Sequence, residues 1–179
     1  MKKIPTLFER DWNGDRSLVT REINHKCQWV FDGQGVATKK IDGTSCAIID
    51  GKYFKRYETK KGNFPEGFIK IETDAETGKT FGWVPVGEGN EDKWHNEAYV
   101  DGLSDGTYEL IGPKVQGNPE LSDKHVLINH NSLEFEPVPR SYDEIKEFLK
   151  DKDVEGIVWH HPDGRMAKIK KRDFGFKRI

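Results

Sequence analysis

A lysine close to an Asp-Gly pair is the part of this sequence best suited to chemistry. Lys40 stands two residues before Asp42 and is followed by Gly43, and a second turn pair, Asp50-Gly51, comes after a short apolar run. A lysine at the edge of a hairpin, next to a glycine, would let the phosphates of a ligand approach closely. We therefore interpret Lys40 as a nucleophile that takes up a nucleoside monophosphate. The alternative is an ordinary surface lysine before a turn.

Further charged residues follow Lys40 in short, strand-like stretches. They are Arg56, Glu109, Glu155, Lys168 and Lys170. Lys168 and Lys170 are two positions apart in an alternating segment, so in a β-strand their side chains point to the same face. Taken singly, each residue also fits an exposed strand charge. A chance occurrence of all these residues in this order after Lys40 is far less probable than that of any one of them. We therefore interpret them as one constellation.

Charge is unevenly distributed along a chain that is nearly neutral as a whole. The formal net charge is −2, which argues against non-specific coating of nucleic acid. Basic residues concentrate in the segments 39–61 and 168–178, and an acidic stretch from 66 to 97 lies between them. This pattern favours a local site for a polyanion, with solvated strand faces as the alternative.

Several other kinds of site are not supported by the sequence. Cys27 and Cys46 are too few for a disulfide framework and too isolated for a zinc site, which indicates a reducing compartment. Gly78-Lys79-Thr80 imitates the end of a P-loop, but Thr73 stands where that loop needs a glycine. No signal peptide or membrane span is predicted. We therefore expect a soluble, cytoplasmic protein.

Short strands dominate the predicted secondary structure that must position these residues. Alternation predicts strands at 18–23, at 81–86, 107–111 and 126–128, and two or three more between 36 and 57. Residues 58–79 are predicted to be loop-rich. The clearest helix is Tyr142–Lys150, with Ser141 as its cap, Glu144 completing a capping box, and an apolar stripe for packing. A final hairpin joins 154–159 to 166–170. The fold class is therefore α+β, with mainly antiparallel sheets and few flanking helices.

The order of these motifs resembles that of the covalent nucleotidyltransferase superfamily, which includes ATP-dependent DNA and RNA ligases and RNA-capping guanylyltransferases. Two longer stretches are similar to the vertebrate-type 5′-phosphate/3′-hydroxyl RNA ligase family. One runs from Glu109-Leu110-Ile111-Gly112 to Gly117-Asn118-Pro119, and the other from Glu155-Gly156-Ile157-Val158-Trp159-His160 to Asp163-Gly164. Lys40-Ile41-Asp42-Gly43-Thr44 and Gly82-Trp83-Val84-Pro85-Val86 fit the same family, and the resemblance covers roughly residues 18–176. It implies a nucleotidyltransferase (adenylation) domain, which we expect to be a single domain over residues 1–179. The sequence departs from the family in length, so we expect no oligonucleotide-binding (OB) fold or helical C-terminal domain.

The resemblance also implies a reaction. It is that of an ATP-dependent RNA ligase, which joins 5′-phosphate and 3′-hydroxyl RNA ends through a covalent lysine–AMP intermediate. Lys40 would be the catalytic nucleophile, because lysine, unlike arginine, can lose its proton when desolvated or beside other cations. Lys168 and Lys170, also catalytic, would supply those cations and stabilise charge on the α-phosphate. The implied cofactors are ATP and Mg²⁺, with Mn²⁺ as a substitute, and Glu155 is the expected metal ligand.

The remaining implied roles concern the nucleotide. The predicted nucleotide-binding residues are Lys39, Asp42, Gly43, Arg56, Glu109, His125, Glu155, Lys168 and Lys170. Glu109 would accept hydrogen bonds from ribose hydroxyls, Arg56 would hold ribose or an RNA phosphate, and the ring of His125 would stack on adenine. Asp42 would chiefly shape the turn. The expected partner is RNA, and the protein is expected to be a monomer.

Two other functions remain open at this point. A GTP-dependent guanylyltransferase that caps RNA would use the same order of motifs with a different nucleotide. A non-catalytic module that binds nucleotide or RNA would keep the fold without turnover. The nucleotide that becomes covalently attached, or the absence of any attachment, distinguishes the three.

Overall fold

The structure, a computed structural model, describes residues 2–135 and 137–178. The chain forms two compact units. The three-strand unit comprises Ile4–Ile41 and the chain from Leu133 onward, and the six-strand unit comprises Asp42–Ser132 with the N-terminal residues up to Lys3. Within the described residues, no helix is both long and apolar enough to cross a bilayer.

The three-strand unit is built on a small antiparallel sheet that brings distant parts of the sequence together. Its strand order is β11 (Met166–Lys170), β10 (Gly156–His160) and β3 (Val36–Lys40). A separate ribbon pairs β1 (Phe8–Arg10) with β2 (Val19–Ile23), and the helices are α1 (Gln28–Phe31) and α3 (Tyr142–Lys150).

The core of this unit lies on one face of its sheet. The fully buried side chains there include Trp159, Ile157, Ala167 and Ile169 from the strands and Ile145 and Leu149 from α3. The apolar stripe predicted for α3 is therefore a packing surface, as expected. The predicted capping box is wrong in one respect: the Ser141 hydroxyl donates to Glu144 Oε1 at 2.6 Å and caps no backbone N–H. The hydroxyl uses the nearby carboxylate as its acceptor.

The six-strand unit is one antiparallel sheet in the order β6 (Ile69–Thr73), β7 (Thr80–Pro85), β5 (Lys52–Thr59), β4 (Thr44–Ile49), β8 (Gly106–Ile111) and β9 (Val126–Asn129). The predicted turn between β4 and β5 is confirmed. Asp50 and Gly51 both have positive φ, 51° and 74°, as a two-residue hairpin turn requires. One face of this sheet packs on α2 (Lys93–Ala98) through Cys46, Tyr108 and Leu110.

Two elements of this unit were not predicted. Residues 58–79 were expected to be loop-rich, yet Ile69–Thr73 forms the edge strand β6. Its side chains are mostly exposed, so the segment lacks the apolar content that marks a buried strand. Helix α2 is only six residues long, too short to show helical periodicity. The α+β class with mainly antiparallel sheets is confirmed, whereas the nucleotidyltransferase fold and the single domain stay predictions.

Candidate active site

The registers of the three-strand sheet align the predicted catalytic lysines in one row. Gly156, in the central strand, pairs with Lys40 on one side and with Lys170 on the other. Val158, two residues on, pairs with Lys168 of β11. Residues paired directly across antiparallel strands point to the same face. Lys40, Lys168 and Lys170 therefore share the face of the sheet opposite its core.

Gly156 is needed for this arrangement on steric grounds. A Cβ at this position would lie 2.0 Å from the carbonyl oxygen of Ile169, closer than any unbonded carbon and oxygen can approach. The strand that separates Lys40 from Lys170 therefore has no side chain between them. This explains why a glycine directly follows Glu155.

Glu155 lies between two of the lysines. Lys40 Nζ donates to Glu155 Oε2 at 2.7 Å, and Lys170 Nζ lies 3.9 Å from Oε1. The backbone fixes this position, because Glu155 N donates to Lys40 O at 3.1 Å and Glu155 O accepts from Lys171 N at 2.9 Å. The structure thus brings together four residues that the sequence placed in one constellation: Lys40, Glu155, Lys168 and Lys170. We call this set the lysine cluster.

Burial and neighbouring charges lower the pKa values of two lysines in the lysine cluster. Burial, followed by the charges of Lys170 and Lys40, lowers the pKa of Lys168 to about 8. Burial also lowers the pKa of Lys170, and the Glu155 carboxylate only partly opposes that shift. The lysine cluster holds three amines and one carboxylate, and the neighbouring Asp173 is already paired with Arg10 at 2.9 Å. The cluster therefore has excess positive charge, and an anionic ligand such as a phosphate would be attracted to it.

The lowered pKa of Lys168 predicts how stability depends on pH. Lys168 ordinarily has a pKa of 10.5 and in the folded chain one of about 8, so between these values the unfolded chain binds more protons and the stability of the folded protein rises with pH. Below pH 8 Lys168 is protonated in both the folded and the unfolded chain, and its burial lowers the free energy of unfolding by the full amount, about 3 kcal/mol. We expect Lys168→Met to be more stable than the parent protein at pH 7, with an advantage that shrinks towards pH 10. Urea unfolding across this range measures it, and an advantage independent of pH would contradict the assignment.

In the six-strand unit, Glu109 and Arg56 lie on the same face of the sheet. Glu109 in β8 pairs with Ser45 of β4, Ala47 of β4 pairs with Phe54 of β5, and alternation places Arg56 on the face of Phe54. This face is opposite the one that packs on α2. The predicted ribose-binding pair is thus brought to one surface.

Glu109 is 8% exposed, and its carboxylate already accepts hydrogen bonds. Its Oε1 accepts from Gly43 N at 3.1 Å, and its Oε2 accepts from Ser45 Oγ at 3.4 Å. A Cβ on Gly43 would lie 2.1 Å from the carbonyl oxygen of Leu110, so only glycine lets the turn after Lys40 approach β8 this closely. This close approach is a structural reason for a glycine at position 43. The predicted contact of Gly43 with a nucleotide stays a prediction.

Arg56 presents a guanidinium whose hydrogen bonding is incomplete. Its Cζ lies 4.8 Å from the centroid of the Phe81 ring, and its Nε is buried without a hydrogen-bond partner among the described residues. A buried N–H left in this state is unfavourable unless a ligand satisfies it. This orphan donor fits the predicted contact of Arg56 with an anion or a hydroxyl.

Asp42 and Lys39, which flank Lys40 in the sequence, have different surroundings. The backbone N–H of Asp42 donates to Glu120 Oε1 at 2.8 Å, so the carboxylate of Glu120 holds the turn at this point. The turn-shaping role expected of Asp42 itself stays a prediction. Lys39 alternates with Lys40 along β3 and is exposed, with its Nζ 5.5 Å from the Phe135 ring centroid. The structure therefore leaves Lys39 on the face opposite the lysine cluster. Its role in nucleotide binding stays a prediction.

His125 is not brought together with Glu109 and Arg56. It is 7% exposed, its ring stacks on Trp94 of α2 at 4.5 Å and 19°, and its Nδ1 lies 3.0 Å from Glu97 Oε1. These contacts place its side chain with α2, on the other face of the sheet. Stacking of His125 on adenine stays a prediction, and Trp94 now occupies one face of its ring. The sequence predicts that Trp83, Trp94 and Trp159 are core residues. Trp83 and Trp159 are buried, at 5% and 0% exposed, whereas Trp94 is only half-buried.

Sequence reasoning overlooked His130 as a site residue. Its Nε2 lies 2.8 Å from Glu109 Oε2, and its Nδ1 lies 2.8 Å from Thr107 Oγ1. Thr107 and Glu109 are two positions apart in one predicted strand, a spacing from which a shared face follows. His130 comes 21 positions after Glu109, in the turn that follows β9. No local sequence pattern shows that this turn lies close to Glu109.

A magnesium ion was expected at Glu155. In the described part of the chain, no group of three or more His, Cys, Asp or Glu residues is arranged to hold a metal. A single carboxylate is nevertheless a suitable donor for Mg²⁺, which keeps several waters and is usually bound through one or two carboxylates and the phosphates of the substrate. The donor set at Glu155 therefore fits a metal that arrives with a nucleotide, rather than one in an all-protein cage.

Comparison with known proteins supports the resemblance that the motifs predicted. A family model described as RNA ligase 1 matches residues 97–178, which include Glu109, Glu155, Lys168 and Lys170. The RNA ligase 1 of Pongo abelii is 24% identical over 97% of this chain and 81% of its own length. That of Mus musculus is 22% identical over 97% and 80%. That of Danio rerio is 32% identical over 57% of this chain and 42% of its own length.

Proposed function

We propose, from the premise that this chain is related to the RNA ligase 1 family, that it is an ATP-dependent RNA ligase with Lys40 as its nucleophile. The observation that carries the proposal is the lysine cluster: Lys40 Nζ lies 2.7 Å from Glu155 Oε2, beside two further lysines whose pKa values are lowered. A reactive amine, a neighbouring carboxylate and extra cations are what transfer of a nucleotide to lysine requires.

The first step transfers AMP to the protein. Lys40 Nζ attacks the α-phosphorus of ATP, so that a P–N bond forms while the P–O bond to the leaving pyrophosphate breaks. Lys40 must give up a proton, and Glu155 Oε2 lies within hydrogen-bond distance to receive it. The charges of Lys168 and Lys170 stabilise the negative charge that develops on the α-phosphate. Magnesium, when bound, would neutralise phosphate charge, and Glu155 is the carboxylate that would hold it.

The later steps pass AMP to RNA and seal the ends. The 5′-phosphate of an RNA attacks the phosphorus of Lys40–AMP, which breaks the P–N bond and returns the amine. The 3′-hydroxyl of a second RNA end then attacks the activated 5′-phosphate and displaces AMP.

Two residues of the six-strand unit act earlier, when ATP binds. The Glu109 carboxylate accepts a hydrogen bond from a ribose hydroxyl. Arg56 Nε, the orphan donor, donates to the ribose or to a phosphate.

Labelling with radioactive nucleotide tests this function. The protein is incubated with magnesium and either [α-³²P]ATP or [α-³²P]GTP, and then separated on a denaturing gel. We expect label from ATP that survives denaturation and is lost when RNA with a 5′-phosphate is added. Label from GTP alone would show a capping guanylyltransferase instead. Reversible binding of ATP without any covalent label would show a non-catalytic nucleotide-binding module.

A further inference from the structure

A hydrogen-bonded chain of three side chains ends at Glu109. Thr107 Oγ1 lies 2.8 Å from His130 Nδ1, and His130 Nε2 lies 2.8 Å from Glu109 Oε2. A carboxylate only accepts, so the proton on the Nε2 side belongs to the imidazole. In the neutral ring Nδ1 is then the acceptor, and the Thr107 hydroxyl donates to it. With a neutral ring the chain therefore has one direction, from Thr107 through His130 to Glu109.

The sheet register explains how His130 reaches both partners. Tyr108 of β8 pairs with Asn129, the last residue of β9. His130 begins the short turn directly after β9, so its ring lies opposite the part of β8 that carries Thr107 and Glu109. Those two side chains point to the same face because they are two positions apart. One ring can therefore hold both of them.

The hydrogen bonds to Glu109 leave its carboxylate little freedom. Oε2 accepts hydrogen bonds from His130 Nε2 and Ser45 Oγ, and Oε1 accepts one from Gly43 N. A carboxylate oxygen accepts about two hydrogen bonds, so on the contacts of the described residues Oε1 has capacity for one more donor. The side chain is only 11% exposed, so rotation of the carboxylate would break these bonds where little water is available to replace them. The surroundings thus fix which oxygen meets a ligand.

We propose that His130 is a positioning residue, which holds the Glu109 carboxylate in the orientation that accepts a ribose hydroxyl. The proposal rests on the function proposed above, and it adds a residue that determines selectivity for ribonucleotides over deoxyribonucleotides. His130 itself does not touch the nucleotide. Without it, Oε2 loses its shortest hydrogen bond and the carboxylate samples other rotations, so the contact with the hydroxyl is made less often.

The test compares incorporation of AMP from ATP with that from 2′-deoxy-ATP and 3′-deoxy-ATP. For His130→Ala, we expect kcat/KM for ATP to fall about tenfold, mainly through KM, the size expected for one hydrogen bond to a charged group. The rate with the deoxynucleotide that lacks the hydroxyl bound by Glu109 should change little, so the preference for ATP shrinks. His130→Gln, which keeps a side-chain N–H donor, should restore much of that preference.

Controls separate positioning from general damage to the fold. In a Glu109→Ala background, His130→Ala should cause no further loss of preference, because the histidine acts through that carboxylate. His25→Ala, a change at an exposed histidine of the three-strand unit, should leave the preference unchanged. If the parent protein labels with ATP but His130→Ala keeps its full preference over both deoxynucleotides, the positioning role is wrong. If the parent protein gains no label at all, the proposed function fails first.

Discussion

Replacing Lys40 by alanine is expected to abolish covalent labelling by ATP, and Lys40→Arg is expected to do the same although it keeps the positive charge. The reason is that attack on phosphorus needs an unprotonated amine. A guanidinium, with a pKa above about 12, stays protonated in a protein. Arginine could preserve the ion pair with Glu155 and the attraction for phosphate, but not the P–N bond. Retention of label after denaturation on a gel measures the effect.

Lys26→Ala is the matched control for this experiment. Lys26 is an exposed lysine of the same three-strand unit with no assigned role, so its loss should leave labelling within about twofold of the parent. The Lys40 variants should melt within about 5 °C of the parent, because partly exposed ion pairs contribute little to stability. Persistent label in Lys40→Ala, together with loss of label in Lys39→Ala, would move the nucleophile to Lys39.

Glu155→Gln is expected to slow the labelling step by about 100-fold, the scale found for groups that hold a metal or transition-state charge. Glutamine keeps the size of the side chain but removes its charge. Glu155, which lies 2.7 Å from Lys40 Nζ, is then weakened in both of its proposed roles, as proton acceptor and as magnesium ligand. The variant should need more magnesium for half-maximal labelling, so the rate is measured against magnesium concentration.

Glu147→Gln on α3 provides the comparison for that variant. Glu147 is an exposed carboxylate of the same three-strand unit, and its neutralisation should change neither the rate nor the magnesium requirement. Thermal unfolding of both variants is recorded in parallel. A Glu155→Gln protein that no longer folds would show that the carboxylate serves structure. A folded one that labels at the parental rate would remove Glu155 from the reaction.

The lysine cluster shows what could be predicted from the sequence and what could not. The alternation of Lys168 and Lys170 predicted their shared face, since strand geometry alone determines it. Their approach to Lys40 depends on the pairing of β3 with β10. These strands are far apart in the sequence: Lys40, at the end of β3, and Glu155, just before β10, are separated by 115 positions. That register is set by packing of the Ile157 and Trp159 side chains in the core, and no local pattern reveals it. The family resemblance supplied the association, and the register gives its physical basis.

His125 and His130 show the same limit in the six-strand unit. Both are histidines near β9, and the sequence offered no way to rank them. A change of one position in a strand moves a side chain to the other face of the sheet. The structure places His125 with Trp94 and α2 and His130 with Glu109. Partners of this kind follow from long-range pairing, so they become visible only in the folded chain.

Intact-protein mass spectrometry after incubation with ATP and magnesium tests the central claim most directly. The protein is first freed of any bound adenylate with pyrophosphate, then treated with nucleotide, and the modified peptide is identified by fragmentation. We predict a gain of one AMP per chain, located on Lys40. A chain that gains no mass from ATP, or that carries AMP on another residue, would contradict the assignment of Lys40 as the nucleophile.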